Sequence, residues 1–342
     1  MTNFNPNDIG NLNNNIFGLP TNENDAKLIF IPVPWDVTVS YGGGTSKAPE
    51  AIFEASFQVD LFDAFKENAW ETGYAMIPVS KELIEKNDHL KTYSRKIISQ
   101  LASGNISEDF DESVAFINKG GEELNTWVKE TSDIYLSQHK LVAIIGGEHS
   151  VPLGFIQSLA KHYTDFSILQ IDAHADLRNA YEGFNFSHAS IMFNALKIPQ
   201  VKKLVQIGIR DYCQEEYAYI KKSSGRIKTF FDRDMKRDLY EGTSWKNICD
   251  SIIKELPSQI YISFDIDGLD PKLCPNTGTP VAGGLETEQI FYLLEQIVLA
   301  GKKIIGFDLC EVTPSGENEW DANVGARILY RLANIMTKSN GI

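Results

Sequence analysis

Four short stretches of this 342-residue chain carry side chains that can bind a metal or move a proton. Gly146-Gly147-Glu148-His149-Ser150 follows the apolar run Leu141–Ile145, and Asp172-Ala173-His174-Ala175-Asp176 follows Ser167–Ile171. Asp265-Ile266-Asp267-Gly268-Leu269-Asp270-Pro271 follows Ile260–Phe264, and Asp308-Leu309-Cys310-Glu311 follows Lys303–Phe307. Singly, each has an ordinary explanation. An Asp-x-His is most often a cap or turn pair, and Asp-x-Asp-Gly resembles a calcium-loop fragment or a plain turn. Glu148 and His149 could simply open a helix that Ser150 caps before Pro152. Jointly, at the ends of neighbouring strands, they point to a hydrolytic site built on two metal ions.

The electrostatics favour that reading. Asp172, Asp176, Asp265 and Asp267 cannot all stay ionised at one rim without a compensating charge. Two divalent cations balance four carboxylates. Alternation along an extended chain lets Asp172, His174 and Asp176 point the same way, as can Asp265 and Asp267. Asp and His donors without thiolates suit manganese first, with nickel, cobalt, iron or zinc as alternatives. Two such ions about 3.5–4 Å apart can hold a water between them as hydroxide near neutral pH.

The elements that must position these residues read as strands alternating with helices. Strands are expected at Lys27–Val33, Leu141–Ile145, Ser167–Ile171, Leu204–Ile209, Ile227–Phe231, Ile260–Phe264 and Lys303–Phe307. Helical spacing fills the gaps, as in Ile290, Leu293, Leu294, Ile297 and Val298. Strands apolar on both faces imply a sheet covered on both sides. The expected fold is a single three-layer α/β domain with a doubly wound, mainly parallel sheet and helices on both faces. Ligands then collect outside the carboxyl ends of the strands, where the four motifs lie. Residues 1–26 read as an N-terminal extension and 27–342 as the catalytic domain. The acidic run at Glu108, Asp109, Asp111 and Glu112 reads as an exposed loop between helices. Gly42-Gly43-Gly44 lacks the order of a phosphate loop, because Lys47 follows Thr45-Ser46, and reads as a tight turn near the site's mouth.

Composition narrows the partners. With 46 acidic against 32 basic side chains the net charge is −14, which argues against binding nucleic acid or anionic lipid. No run approaches the roughly 18 apolar residues of a membrane span. Cys213, Cys249, Cys274 and Cys310 are too dispersed for a disulfide framework or a structural zinc site. With no signal-peptide pattern in the Asn-rich N-terminus, the expected compartment is the cytoplasm.

The three segments around His149, Asp172–Asp176 and Asp265–Pro271 resemble the signatures of the ureohydrolases, the family of arginase and agmatinase. The resemblance extends from Pro32-Val33-Pro34-Trp35-Asp36 to the C-terminal helix. It implies one metal held by His149, Asp172, Asp176 and Asp265, and a second held by His174, Asp172, Asp265 and Asp267. It also implies that Asp176 orients the bridging hydroxide, that Glu311 pairs with the substrate's guanidinium, and that His188 carries a proton to the leaving amine. A planar guanidinium does ask for a carboxylate fork. The products would be urea and an amine, and the assembly a homo-oligomer, a trimer or hexamer.

Within the family, the stretch from Asp176 to His188 looks more like agmatinases than arginases. Tyr181, Phe184 and Phe186 stand where a polar loop would meet an amino-acid head, which fits a substrate without an α-carboxylate. Arg178 and Glu182 are further substrate-contact candidates, although four residues apart they could pair with each other. Asn276, Thr277, Thr279 and Pro280 are expected at the rim. Agmatine is the first-choice substrate; guanidine, guanidinobutyrate and formimidoylglutamate are alternatives. Readings of other classes are a non-catalytic metal-binding subunit and a one-zinc deacetylase-like site, which would not need both His149 and Asp267.

Overall fold

The computed structural model describes residues 4–316 and 319–342. Its strands are β1 (Leu28–Pro32), β2 (Tyr74–Met76), β3 (Leu141–Ile145), β4 (Phe166–Ile171), β5 (Val201–Ile209), β6 (Ile227–Phe231), β7 (Gln259–Asp265) and β8 (Lys303–Cys310). They form one sheet in the order β2-β1-β3-β8-β7-β4-β5-β6, with parallel pairing between every pair of neighbours. The expected mainly parallel sheet is therefore wholly parallel. The helices are α1 (Ala48–Ser56), α2 (Lys81–Ser103), α3 (Phe110–Leu136), α4 (Leu153–His162), α5 (Ile191–Ala195), α6 (Gln214–Lys222), α7 (Asp232–Tyr240), α8 (Trp245–Glu255), α9 (Thr287–Leu299) and α10 (Trp320–Ser339).

Alternation along each strand sends successive side chains into two separate cores. In β1, Leu28 and Phe30 face one core with Ile52 of α1, Leu294 of α9 and Leu329 of α10. Ile29 and Ile31 face the other with Leu90 of α2, Val128 of α3 and Ile156 of α4. This is the three-layer arrangement that strands apolar on both faces require.

Part of the 1–26 segment packs into the first core. Ile16, Phe17 and Leu19 are buried, and the Phe17 ring meets Phe30, Tyr74 and Tyr330 edge-on. Burying each such side chain stabilises the fold by roughly 1.5–3 kcal/mol. The Asn15 side chain ties this segment to β2, accepting from Met76 N–H at 2.8 Å.

The acidic stretch divides between two settings. Glu108 and Asp109 are exposed between α2 and α3, with Asp109 paired to Lys96 at 2.7 Å. Asp111 and Glu112 occupy the first turn of α3, where the helix dipole favours negative charge. All four cysteines are free thiols. Among the described residues no helix is long and apolar enough to cross a membrane.

Candidate active site

The four motif-bearing strands are contiguous in the sheet, in the order β3-β8-β7-β4, so their carboxyl ends open onto one place. At the end of β3 the backbone passes so close to Trp35 that a Cβ on Gly147 would lie 2.0 Å from its carbonyl oxygen. Glycine is therefore required there. This approach lets Glu148 N–H donate to Trp35 O at 2.8 Å, and His149 N–H donate to Glu311 Oε1 at 2.8 Å.

His149 is the buried centre of the cluster. Its Nδ1 lies 3.0 Å from Asp172 Oδ2, 3.0 Å from Asp176 Oδ2 and 3.3 Å from Asp265 Oδ2. On the far side of the ring, Nε2 is 2.8 Å from Ser263 Oγ, whose hydroxyl donates to Asp308 Oδ2 at 2.8 Å. With the serine proton committed to Asp308, Nε2 must be the donor to Ser263. Nδ1 is then a bare lone pair facing three carboxylates, and it has no hydrogen-bond partner. Lone pairs converging from four side chains repel unless a cation sits among them. The donor set thus fits a divalent ion.

A second cluster shares Asp172. His174 Nδ1 is 3.0 Å from Asp267 Oδ2 and 3.7 Å from Asp172 Oδ1. Donor atoms of His149, Asp172 and Asp265 lie within 4.8 Å of one another, as do those of Asp172, His174 and Asp267. All six expected ligands therefore meet, with Asp172 common to both groups and Asp176 beside the first.

Main-chain donors orient the carboxylates. Asp172 Oδ1 accepts from His174 N–H at 2.6 Å, Asp265 Oδ1 from Asp267 N–H at 2.8 Å, and Asp267 Oδ1 from Ala173 N–H at 3.0 Å. Arg210 braces the β7 exit, its guanidinium donating to the carbonyls of Asp267, Leu269 and Val281. Asp176 and Glu311 both have φ in the left-handed region, 55° and 65°. Non-glycine residues held there cluster at functional sites.

The protonation of the cluster shows how much positive charge it lacks. Burial, then the charge of Asp172, pushes the Asp176 carboxyl up to about 8. Burial, then Asp267 and Asp172, holds Asp265 well above the usual range. Burial opposes charge on His149 and His174, yet the surrounding carboxylates raise both, His174 to about 12. All four shifts run in the direction that positive charge placed among these carboxylates would relieve.

Glu311 lies behind this cluster. One oxygen is held by His149 N–H, and Oε2 is buried without a partner. Burial, then the charges of Glu148 and Asp267, raises its pKa well above normal. A Cβ on Gly278 would sit 2.8 Å from Oε2, so the neighbouring loop reaches Glu311 only because that residue is glycine. Gly278→Ala should displace the carboxylate and lower kcat/KM about tenfold or more while leaving metal content intact, measurable by steady-state rates and elemental analysis.

A cavity of about 490 Å³ opens over His174, Asp176 and His188, with Tyr41, Arg178 and Tyr181 in its wall. Thr279 and Pro280 line it as expected, whereas Asn276 bonds Asp321 instead. The glycine turn lies at the mouth: Ser40 and Tyr41 line the cavity, and Gly44 N–H donates to Asp36 Oδ2 at 2.9 Å.

The expected aromatic loop divides. Tyr181 faces the cavity, Phe184 is wholly buried in the core, and Phe186 packs on Gly121 of α3. Arg178 lies over the Tyr181 ring and 3.9 Å from Glu216 Oε2, so its ion partner is Glu216 and not Glu182. Glu182 lies outside the cavity lining, its Oε2 buried and unpartnered. Asp211, Tyr212 and Glu216, at and beyond the end of β5, were not anticipated as lining residues. Reading past Ile209, as past the other strands, exposes Arg210-Asp211-Tyr212.

Burial, then the charges on His174 and His149, lowers the His188 imidazole from 6.5 to about 4. Between those values the unfolded chain binds more protons than the folded one, so stability should fall as pH drops from about 6.5 to about 4. His188→Asn should flatten that part of the decline in urea midpoints measured from pH 7 to pH 4.

The model describing the arginase family matches residues 26–334. The chain belongs to the arginase family. Among its relatives, the N(1)-aminopropylagmatine ureohydrolase of Thermus thermophilus is 30% identical over 293 residues, 86% of this chain and 85% of the relative. The agmatinase of Bacillus subtilis is 28% identical over 312 residues, 91% of each chain. The crystal structure of the agmatine ureohydrolase of Thermoplasma volcanium superposes with a TM-score of 0.71 at 23% identity, covering 93% of this chain and 92% of that one. This arginase-family chain therefore has the fold that its sequence implied, with its candidate metal donors at the ends of β3, β4 and β7 and Glu311 at the end of β8 between them.

Proposed function

We propose that this arginase-family chain is a binuclear-metal ureohydrolase that cleaves a guanidino C–N bond to release urea and an amine, with agmatine as first-choice substrate. The observation that carries the reading is the buried, unpartnered Oε2 of Glu311 behind the His149–Asp172–Asp265 group. Manganese, with nickel as alternative, would be held by His149, Asp172, Asp176 and Asp265 and by His174, Asp172, Asp265 and Asp267. When bound, such a pair supplies a water acidified to near neutral pH and positive charge beside the reacting carbon.

The chain's own residues do the rest. Glu311 offers a carboxylate fork to two guanidinium N–H groups, which fixes the plane of the carbon under attack. Asp176 accepts a hydrogen bond from the attacking water and so orients it. His188, neutral at working pH, takes up a proton at its free ring nitrogen and returns it to the departing amine.

The rim supports a cationic tail. Asp211 and Glu216 carry two negative charges against the one positive charge of Arg178, and Arg178 is already engaged by Glu216 and Tyr181. A second reading, N1-aminopropylagmatine, is favoured by an adjoining cavity of about 440 Å³ that shares Tyr212 with the first. A cytoplasmic homo-oligomer, trimer or hexamer, belongs to the same proposal.

The test is urea and ammonia release after loading with manganese or nickel, on agmatine, aminopropylagmatine, arginine, guanidinobutyrate, guanidine and formimidoylglutamate. Agmatine should give the highest kcat/KM. Asp211→Asn should raise its KM by up to about fivefold, as expected for an exposed charge pair. No turnover on any of the six would sink the proposal and leave the non-catalytic metal-binding subunit.

A further inference from the structure

Glu148 lies beside a metal-ligand candidate in sequence, but it is in neither donor group and the reaction above does not use it. It is wholly buried, and its carboxylate is aimed at the β1–α1 connection. Oε2 accepts from both Thr38 N–H, at 2.8 Å, and Thr38 Oγ1, at 3.0 Å, while Oε1 accepts from Ser150 Oγ at 2.7 Å. Thr38 is itself 3% exposed, so no bulk water competes for its hydroxyl.

A hydroxyl has one proton and two lone pairs. With Glu148 ionised, the proton of Thr38 goes to its carboxylate, which leaves only acceptor capacity for the other neighbours of Thr38. Both belong to His188: its backbone N–H at 3.4 Å and its ring Nδ1 at 3.5 Å. An Nδ1 that meets only an acceptor must carry the proton. The Tyr181 ring, edge-on at 5.9 Å, bounds the imidazole on another side.

We propose that Thr38, with its proton direction set by Glu148, is a positioning residue that holds His188 in the Nδ1–H tautomer, leaving Nε2 as the nitrogen that exchanges protons in the cavity. This rests on the reading of His188 as the proton carrier. The three residues come from connections far apart in sequence, after β1, after β3 and after β4, so only the folded sheet assembles the relay. Neither Glu148 nor Thr38 needs to touch substrate. Together they fix which ring nitrogen is basic.

The test uses the full-length enzyme with Thr38→Val, which keeps shape and removes the hydroxyl, and Thr38→Ser, which restores it. Thr38→Val should lower kcat about 10- to 100-fold, with KM within twofold and metal content unchanged. Thr38→Ser should recover at least half of wild-type kcat. Nitrogen-15 NMR of the histidine rings in zinc-loaded protein, with the His188 signal assigned by its loss in His188→Asn, should show Nδ1–H in wild type and Thr38→Ser, and a tautomer mixture in Thr38→Val. An unchanged tautomer in Thr38→Val overturns the proposal, and so does a serine variant as impaired as the valine one. The NMR result stands whether or not any guanidino compound turns over, so failure of the relay and failure of the ureohydrolase reading are separable.

Discussion

Asp172→Asn should lose metal and turnover together. Asp172 belongs to both donor groups, and both of its oxygens are already oriented, one by His174 N–H and the other by the Gln170 amide at 2.7 Å. Asparagine keeps the volume but removes a charge and one acceptor oxygen. Changing a residue that merely supports a metal ligand costs about 10- to 100-fold in affinity, so losing a shared ligand should cost more than about 100-fold. Elemental analysis after dialysis should find fewer than two ions per chain, and urea release should fall by roughly 1,000-fold or more. Thermal melts supply an independent readout: manganese should raise the wild-type midpoint and leave that of the variant nearly unmoved. A variant that keeps two ions and full rate would falsify the ligand assignment.

Glu311→Gln should separate substrate binding from metal binding. The amide oxygen of glutamine can still accept from His149 N–H, so the backbone contact at the end of β3 survives. Its NH2 group then stands where Oε2 was, and presents donors to a guanidinium that has only donors. Truncating one side of a buried, hydrogen-bonded charge pair costs about 2–5 kcal/mol, which corresponds to a loss of roughly 30- to several-thousand-fold in kcat/KM. Two ions per chain should remain bound. If the variant retains kcat/KM within tenfold, the guanidinium does not bind at Glu311.

Much of this was legible because a buried parallel strand must be apolar on both faces, and the residue that breaks the run marks its carboxyl end. Asp172 and Asp265 announce themselves in that way. The same rule ended β8 too early, at Phe307, whereas the strand continues to Cys310. Asp308 sits inside it because Tyr261 and Ser263 on β7 donate to its carboxylate, a tertiary partnership that no local pattern reveals. β2 escaped notice for the opposite reason. Tyr74–Met76 is too short to show a period and is held at the sheet edge by pairing with β1. The aromatic loop misled because an aromatic side chain after a strand can enter the core as readily as a pocket, and Phe184 does so. The left-handed backbone at Asp176 and Glu311 leaves no mark in residue type at all.

The carboxylates at the centre of the site are oriented largely by peptide N–H groups: those of His174, Asp267 and Ala173, and that of His149 for Glu311. A peptide group is present whatever side chain it bears. Neighbouring positions can therefore drift through many substitutions without disturbing the donors, provided the strand ends keep their shape. Such a centre is robust to mutation where one braced by side chains would be fragile. The cavity wall at Arg178, Asp211 and Tyr212, where we propose that substrate preference is set, has no such protection, and in lineages descended from a common ancestor it should diversify long before the candidate metal-ligand carboxylates do.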